Sequence, residues 1–287
     1  MTPRAGTEGS FGVARERWLG GLGNVRNVVR QEIITRQLRQ HLPERPGRVL
    51  DVGAGQGTQC LRLARAGHRV VAVEPDPEMR AQLQAALEAE PADAGQRLKV
   101  VAGSISDLHS AIAGEAYDVV LCLGVLMYLP EGPSAITELA SYVAPGGLLC
   151  VAVRTPVSAT WRPAARQDWP AALEALEEST SARAQGRDMR YLNEIGAPAR
   201  TDDIGTLVAV AAESGLDLVR WYGVRVAVDL AELDPPAPAD PRQLAALLDV
   251  EEYLGATDPY RQLAQLAHLI LRRPHTDPRA WAQHALA

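Results

Sequence analysis

Three glycines at alternate positions, directly after a short apolar strand, constrain this chain more than any other feature. Residues 49–52 read Val-Leu-Asp-Val and run into Gly53, Gly55 and Gly57. A turn without side chains lets a ligand lie against the backbone. The next apolar segment ends in Glu74, about 20 residues on, where a ribose diol needs an acceptor for two hydroxyls. The pattern predicts a nucleoside pocket, and the alternative is a buried strand and turn without a ligand.

The glycine spacing separates two nucleoside cofactors. A dinucleotide fingerprint reads G-x-G-x-x-G, but Thr58 stands where its third glycine belongs, and Asp51 precedes the turn by two residues. A carboxylate there would repel a pyrophosphate, which helix N-terminal amides bind. S-adenosylmethionine (SAM) instead carries an ammonium group and a sulfonium, which a carboxylate attracts. The turn therefore favours SAM over NAD, and binding of NAD but not SAM would contradict this prediction.

Short apolar segments alternate with helical ones along the chain. The strand-like segments are 48–52, 69–74, 98–102, 117–123, 147–153, 216–228 with a break at Gly223, and 267–271; the helical stretches are 24–42, 58–66, 77–90, 133–143, 201–215 and 241–254. Such alternation predicts a parallel sheet with right-handed crossovers. We expect an α/β fold with a seven-stranded Rossmann-like sheet, helices on both faces, and a reversed, hairpin-like edge formed by the last two strands.

The predicted sheet sets the domain boundaries of the chain. Residues 25–273 are predicted to form the domain, between a mobile arm at residues 1–24 and a tail at residues 274–287. Residues 155–200 follow the fifth strand and break the alternation, with tryptophans, prolines and little strand character. Insertions after the carboxyl ends of strands lie over the ligand crevice in such folds. This segment is our predicted lid, and a peripheral helical excursion is the alternative.

Composition narrows the class of protein. The 287 residues are 47% hydrophobic, which excludes wholesale disorder, and no apolar run reaches the ~18 residues of a membrane span. Residues 1–10 lack the apolar core of a signal peptide, so we expect a cytoplasmic protein without a membrane partner. The net charge is −6, yet residues 1–48 hold nine Arg and four Glu. This basic N-terminal stretch of residues 1–48 suits a limited phosphate contact or ordinary solvation.

The cysteines and the end of the fourth strand argue against particular kinds of metal site and nucleophile in this chain. Cys60, Cys122 and Cys150 have no C-x-x-C pair and no histidine at ligand spacing, so we expect reduced core thiols and no metal. Residues 123–126 read Leu-Gly-Val-Leu, unlike the Asn/Asp-Pro-Pro-aromatic motif that binds an amino nucleophile. Cys122 also lacks the second cysteine needed for attack on cytosine. By elimination an oxygen nucleophile is favoured.

Residues 49–57 resemble the first motif of the class I SAM-dependent methyltransferases, and the resemblance covers about residues 25–273. It implies their fold, their activity and SAM as the cofactor. It also implies the roles of the cofactor-site residues: Asp51 balances the ammonium group, Gly53, Ala54 and Gly55 contact the methionyl part, Glu74 accepts the ribose hydroxyls, Ile105 and Ser106 lie at the adenine, and Leu123 lies beneath the transferable methyl. The Asp107 carboxylate either binds the adenine amine or caps the helix that follows.

Further segments are similar to the bacterial tRNA 5-carboxymethoxyuridine carboxyl methyltransferases, which esterify a carboxylate on a wobble uridine. These segments are Val29-Arg30-Gln31, Gly67-His68, residues 223–226 with Asp229 following, and residues 247–260. The resemblance implies that Arg30 contacts SAM and that Arg225 anchors a substrate carboxylate or phosphate. A carboxylate nucleophile is already ionised at neutral pH and needs no general base. The alternative for Arg225 is a structural ion pair with Asp229 or Glu232.

The methyl acceptor stays open at this point. Met127-Tyr128 departs from the aromatic that follows the fourth strand in that group, and residues 155–200 are almost neutral where its lid is basic. The hypotheses are a tRNA wobble-uridine enzyme, a small-molecule O-methyltransferase of specialised metabolism, and a SAM-binding scaffold without catalysis. Steep salt dependence of substrate binding would support the first. The oligomeric state does not follow from the sequence.

Overall fold

The computed structural model describes residues 8–112, 114–228 and 235–275. The strands are β1 (Arg48–Val52), β2 (Arg69–Glu74), β3 (Leu98–Ala102), β4 (Tyr117–Leu123), β5 (Val143–Val153), β6 (Arg190–Leu192), β7 (Pro198–Arg200), β8 (Asp217–Val224) and β9 (Leu266–Arg272). The helices are α1 (Glu8–Gly20), α2 (Val25–Arg39), α3 (Thr58–Arg65), α4 (Pro77–Glu88), α5 (Ala92–Gly95), α6 (Leu108–Ile112), α7 (Gly132–Ala140), α8 (Pro156–Ala165), α9 (Trp169–Ala184), α10 (Ile204–Glu213) and α11 (Pro241–Ala256). Asp229, Glu232 and most of the predicted tail lie outside the described residues.

Seven strands form one sheet in the order β3-β2-β1-β4-β5-β9-β8. Neighbouring strands are parallel from β3 to β5, and β9 is antiparallel to both β5 and β8. The predicted fold class is therefore confirmed. The predicted reversed edge differs in detail, because only β9 is reversed and it lies inside the sheet, while β8 forms the edge.

Both faces of the sheet are covered by helices. Val49 packs in one apolar cluster with Ile33 of α2, whereas the next residue, Leu50, packs in a second cluster with Ile136 of α7 and Leu207 of α10. Successive side chains of a strand point to opposite faces. Strands buried on both faces are rich in apolar residues, and Asp51 is the one polar residue at positions 49–52 of β1.

The strand order reverses between β1 and β4. From β1 the sheet continues through β2 and β3 on one side, and the chain then crosses to β4 and β5 on the other side. In open α/β sheets, ligands bind outside the carboxyl ends of the strands at this point. The glycine turn follows β1 and therefore lies at the expected crevice.

Among the segments that differ from the sequence prediction, three lie near the crevice. Helix α1 falls inside the arm for which no helix was predicted. The lid segment contains not only α8 and α9 but also an antiparallel hairpin, β6–β7, whose three-residue strands are too short to show a periodicity. Strand β8 ends at Val224 and not at residue 228, because Arg225 adopts a left-handed backbone with φ of 64°.

No helix in the described ranges is long and apolar enough to cross a bilayer. The same residues hold no group of three His, Cys, Asp or Glu side chains placed to bind a metal ion. All three cysteines are buried free thiols, as predicted.

Candidate active site

The glycine turn is packed too closely for side chains. The Gly53 N–H donates to the Val73 carbonyl at 2.7 Å, and a Cβ at Gly53 would overlap the side chain of Val125, which follows β4. A Cβ at Gly57 would likewise overlap Leu83 of α4. The turn is thus held between β2, the loop after β4 and α4, and its backbone forms the floor of the crevice.

Glu74 ends β2 beside this turn. Its Oε2 accepts a hydrogen bond from the Gly55 N–H at 2.8 Å, and its Oε1 accepts one from the Asp76 N–H at 3.0 Å. Burial raises the pKa of this carboxyl against the effect of the two N–H groups. An ionised carboxylate has about four acceptor sites, so each oxygen keeps one for a ligand hydroxyl. This geometry fits a vicinal diol.

Asp51 lies in β1, where the sheet opens towards the turn. It is 3% exposed, and within the described parts of the chain no group forms a hydrogen bond with its carboxylate. Burial, together with the nearby Glu74, raises the pKa of Asp51 to about 7. A buried carboxyl without a partner is unfavourable unless a ligand supplies one. The residues present therefore fit a cofactor that brings a cationic group.

Helix α1 covers the crevice. The Trp18 indole donates to Gln56 Oε1 in the glycine turn at 3.0 Å. Arg15 forms ion pairs with Asp76 at 3.1 Å and with Glu78 at 2.6 Å, at the start of α4. This contact could not be predicted from the sequence, since the apolar residues of α1 do not fall on one face.

Arg30 reaches from α2 to the end of β4. Its guanidinium lies 4.8 Å from the centre of a Trp18 ring and donates to the Leu123 carbonyl at 3.1 Å. Gly124 allows this approach, since a Cβ there would overlap the guanidinium. Burial and the nearby Arg225 lower the pKa of Arg30 to about 10. Its Nε is buried without a partner in the described structure, so the group can bind a further anion.

The segment after β3 resolves one alternative. Asp107 Oδ1 accepts from the Ser104 N–H at 2.5 Å and from the Ser104 hydroxyl at 2.6 Å, which forms a capping box. Ser106 contacts the Ser104 hydroxyl at 2.9 Å. The structure thus has Asp107 as a cap, and Ile105 and Ser106 lie at the edge of the crevice, one strand beyond Glu74.

A second cavity, of about 50 Å³, lies beyond Arg30 and under the lid hairpin. This space holds only a few water molecules. Its lining residues come from α1, α2, the loops after β4, β5 and β8, the start of β9 and the lid: Trp18, Arg30, Gly124, Met127, Tyr128, Arg154, Tyr191, Asn193, Glu194, Ile195, Arg225, Gln265 and Leu266. We call it the acceptor cavity, because it adjoins the end of β4.

Arg225 is held in this cavity by its neighbours. Its NH2 donates to Glu194 Oε1 at 3.1 Å, and its side chain is 7% exposed. The carbonyl of Arg225 accepts hydrogen bonds from Arg162 at 2.5 Å and from the Gln265 N–H at 3.0 Å. Glu251 of α11 is fully buried, and its carboxylate accepts hydrogen bonds from the N–H groups of residues 226–228, which follow Arg225. These contacts stabilise a left-handed backbone that a non-glycine residue adopts only when its surroundings require it.

Glu194 and Arg154 are acceptor-cavity residues that the sequence did not indicate. Glu194 lies in the turn of the β6–β7 hairpin, and Arg154 directly follows β5. The predicted partners of Arg225, Asp229 and Glu232, lie outside the described residues. Only the position of Arg154 after a strand, at the edge where ligands bind, could have marked it beforehand.

Comparisons with known proteins agree with this geometry. Residues 50–151 match the family model described as a methyltransferase domain. The ubiquinone biosynthesis O-methyltransferase of Methylobacterium nodulans is 30% identical over 200 residues, which cover 62% of this chain and 77% of that protein. The chain belongs to the class I SAM-dependent methyltransferases.

Other relatives of this methyltransferase match less of their length. The ubiquinone biosynthesis O-methyltransferase of Xanthomonas axonopodis pv. citri is 30% identical over 155 residues, 52% of this chain. The chain covers 61% of that protein, so it spans about three fifths of the first curated relatives that it matches. The solved SAM-dependent methyltransferase from Mesorhizobium loti superposes with a TM-score of 0.53 at 16% identity, over 84% of this chain and 98% of that one. Family membership gives SAM as the cofactor.

Proposed function

We propose that this methyltransferase transfers the methyl group of SAM to a carboxylate oxygen of a small molecule. The observation that carries the proposal is the charge of the acceptor cavity. Arg30, Arg154 and Arg225 line it, and Glu194 is the single carboxylate among its lining residues. Buried guanidinium groups favour anions of matching geometry. The similarity to ubiquinone biosynthesis O-methyltransferases supports an oxygen acceptor.

The cofactor site follows from the crevice. Asp51 would balance the ammonium group of SAM, Glu74 would accept the ribose hydroxyls, and Arg30 would pair with the carboxylate of the cofactor. The backbone of residues 53–55 would contact the methionyl part, and Ile105 and Ser106 would lie at the adenine. Bound SAM supplies an electrophilic methyl group on a sulfonium.

The residues of the chain then have three tasks. The arginines bind and orient the acceptor, Trp18 and the lid hairpin exclude water, and Asp51 and Glu74 hold the donor in place. A carboxylate oxygen forms the new bond to carbon while the bond from sulfur to that carbon breaks, giving a neutral ester and a thioether. No proton moves, so no general base is required. Accordingly, the described lining residues of the acceptor cavity include no histidine.

Labelled methyl transfer into cell extract tests the proposal. The protein is incubated with methyl-labelled SAM and with separated RNA and small-molecule fractions. We expect label in the small-molecule fraction, released as methanol by mild alkali, which cleaves methyl esters but not methyl ethers. An alkali-stable product would contradict the carboxylate acceptor.

The same experiment covers the remaining candidates. Label in tRNA, with steep salt dependence of substrate binding, would favour the wobble-uridine carboxylate that the resemblance at Arg30 and Arg225 implies. Tight SAM binding without label in any fraction would favour a scaffold without catalysis.

A further inference from the structure

Arg154 is a buried guanidinium with few contacts. It is 8% exposed, and in the described part of the chain its side chain makes no hydrogen bond, with its Nε fully enclosed and without a partner. Its two contacts are the Tyr191 ring, 4.7 Å from the guanidinium carbon, and an ion pair with Glu194 at 3.6 Å. A guanidinium carries five donors in a fixed fork, and burial of the Arg154 Nε without an acceptor is unfavourable. An anion at hydrogen-bond distance would therefore stabilise Arg154, and the carboxylate of its ion pair lies farther away, at 3.6 Å.

Glu194 is that distant anion. Its Oε1 accepts from Arg225 at 3.1 Å and from Gln265 Nε2 at 2.6 Å, and its side chain is 36% exposed at the mouth of the acceptor cavity. Burial acts to raise its pKa, but the attraction of Arg225 and Arg154 outweighs this and lowers the pKa of Glu194 to about 2. The group is ionised at neutral pH, so it serves as a counterion and not as a base.

The hairpin turn that carries Glu194 is a compact unit. Asn193 Oδ1 accepts from the N–H groups of Ile195 at 3.2 Å and Ala197 at 2.9 Å, and Asn193 Nδ2 donates to the Tyr128 hydroxyl at 2.8 Å. The turn backbone is therefore fixed, and it places the Glu194 side chain in front of the arginines. Because this carboxylate is partly exposed, it can exchange its partners for water without leaving a buried charge.

We propose that Arg154 is the principal anchor of the acceptor's carboxylate, and that Glu194 is a resident carboxylate which the acceptor displaces. This inference rests on the proposed function. The exchange leaves the net charge of the cavity unchanged, since one carboxylate replaces another. The gain comes from Arg154, whose fork can form the paired hydrogen bonds with an entering carboxylate that Glu194 does not provide at 3.6 Å.

The same arrangement accounts for product release. Methylation converts the acceptor's carboxylate into a neutral ester, which no longer balances Arg154 and Arg225. The Glu194 carboxylate then regains its ion pairs with them. Displacement and return of Glu194 thus favour binding of the ionised acceptor and release of the ester, and they select against acceptors without an anionic group.

Binding of acetate to the full chain with S-adenosylhomocysteine tests this inference without any methyl transfer. Glu194→Ala removes the resident carboxylate and its charge, and it leaves the space that this group occupies open to acetate. We expect acetate to bind this variant about tenfold or more tightly than it binds the wild type, by calorimetry at constant ionic strength, because hydrogen bonds to charged groups are strong. Adding Arg154→Met to Glu194→Ala should remove the gain. Glu177→Ala, which deletes an exposed carboxylate of α9, is the matched control and should bind acetate like the wild type.

The variants test the displacement of Glu194 and the anchoring role of Arg154 separately. Acetate binding that is no tighter in Glu194→Ala than in the control overturns the exchange, and a gain that survives Arg154→Met overturns the role of Arg154. Melting temperatures of all variants report whether they fold, and Arg154→Lys gives a second, milder substitution that should retain part of the gain. If acetate binds as expected but no alkali-labile ester forms from extract, the anion site stands and the proposed function fails.

Discussion

The carboxylate of Glu74 is bonded directly to the glycine turn, since its Oε2 accepts a 2.8 Å hydrogen bond from the Gly55 N–H. The proposed ribose acceptor and the glycine turn are therefore one unit, although 19 residues separate them. We therefore expect a change at Glu74 to alter both the proposed hydrogen bonds to the ribose and the shape of the turn.

Glu74→Ala should weaken SAM binding by more than about tenfold, because an acceptor for two hydroxyls is lost in a buried site. Calorimetric titration with SAM measures the effect. Glu88→Ala removes an exposed carboxylate from α4 and should leave the affinity unchanged. Equal affinities of Glu74→Ala and wild type would rule out the ribose role.

Trp18→Ala should speed the dissociation of SAM by several-fold. Trp18 bonds to Gln56 of the glycine turn and lies against the guanidinium of Arg30, so its removal opens the crevice under α1. Stopped-flow displacement of bound SAM measures this dissociation rate. Trp161→Ala, in the lid helix α8, is the control for loss of a tryptophan, and a rate equal in both variants would contradict the covering role of α1.

The strands and the glycine turn could be predicted because their signals are local. Residues 49–52 are buried, and three apolar residues around Asp51, followed by glycines, indicate such a strand without knowledge of the rest. Asp51 lies within β1, and Glu74 ends β2. Their positions in the crevice follow from the parallel sheet alone.

The acceptor cavity could not be predicted, because its contacts join distant parts of the chain. Glu194 meets Arg225 across 31 residues and Gln265 across 71, and no spacing rule connects them. Helix α1 has no amphipathic pattern, and its contacts with the rest of the fold include polar ones made by Arg15 and Trp18. Side chains that act together only in the folded state leave no periodic signal.

Glu251→Gln should lower the free energy of unfolding by about 2 kcal/mol or more, because three backbone N–H groups lose part of a charged acceptor. Urea unfolding gives this value. The same substitution at the next residue, Glu252→Gln, affects a surface ion pair with Arg36 and should change stability by less than about 1 kcal/mol.

The loop that Glu251 holds also positions Arg225. Glu251→Gln should therefore raise the KM for the acceptor while the dissociation constant of SAM stays unchanged. If KM is unaffected in a folded variant, Glu251 supports the fold alone and does not position Arg225.

Asp51 should make SAM affinity depend on pH. Its pKa is raised from 3.8 to about 7 in the absence of a ligand, so it is partly protonated near neutrality. An ammonium group nearby favours the ionised form and releases the proton. Affinity should therefore rise as pH increases towards about 7 and level off above it, and calorimetry in buffers of different ionisation enthalpy should detect proton release on binding.

The unliganded protein should show the opposite trend in stability. Because the folded state holds the proton of Asp51 at pH values where the unfolded chain has lost it, this group lowers stability as pH rises from about 4 to 7. Asp51→Asn removes the ionisable group, so above pH 7 the unliganded variant should melt at a higher temperature than the wild type. The same variant should bind SAM more weakly and lose the proton release. A variant that binds SAM with unchanged affinity and pH dependence would show that Asp51 does not balance the ammonium group.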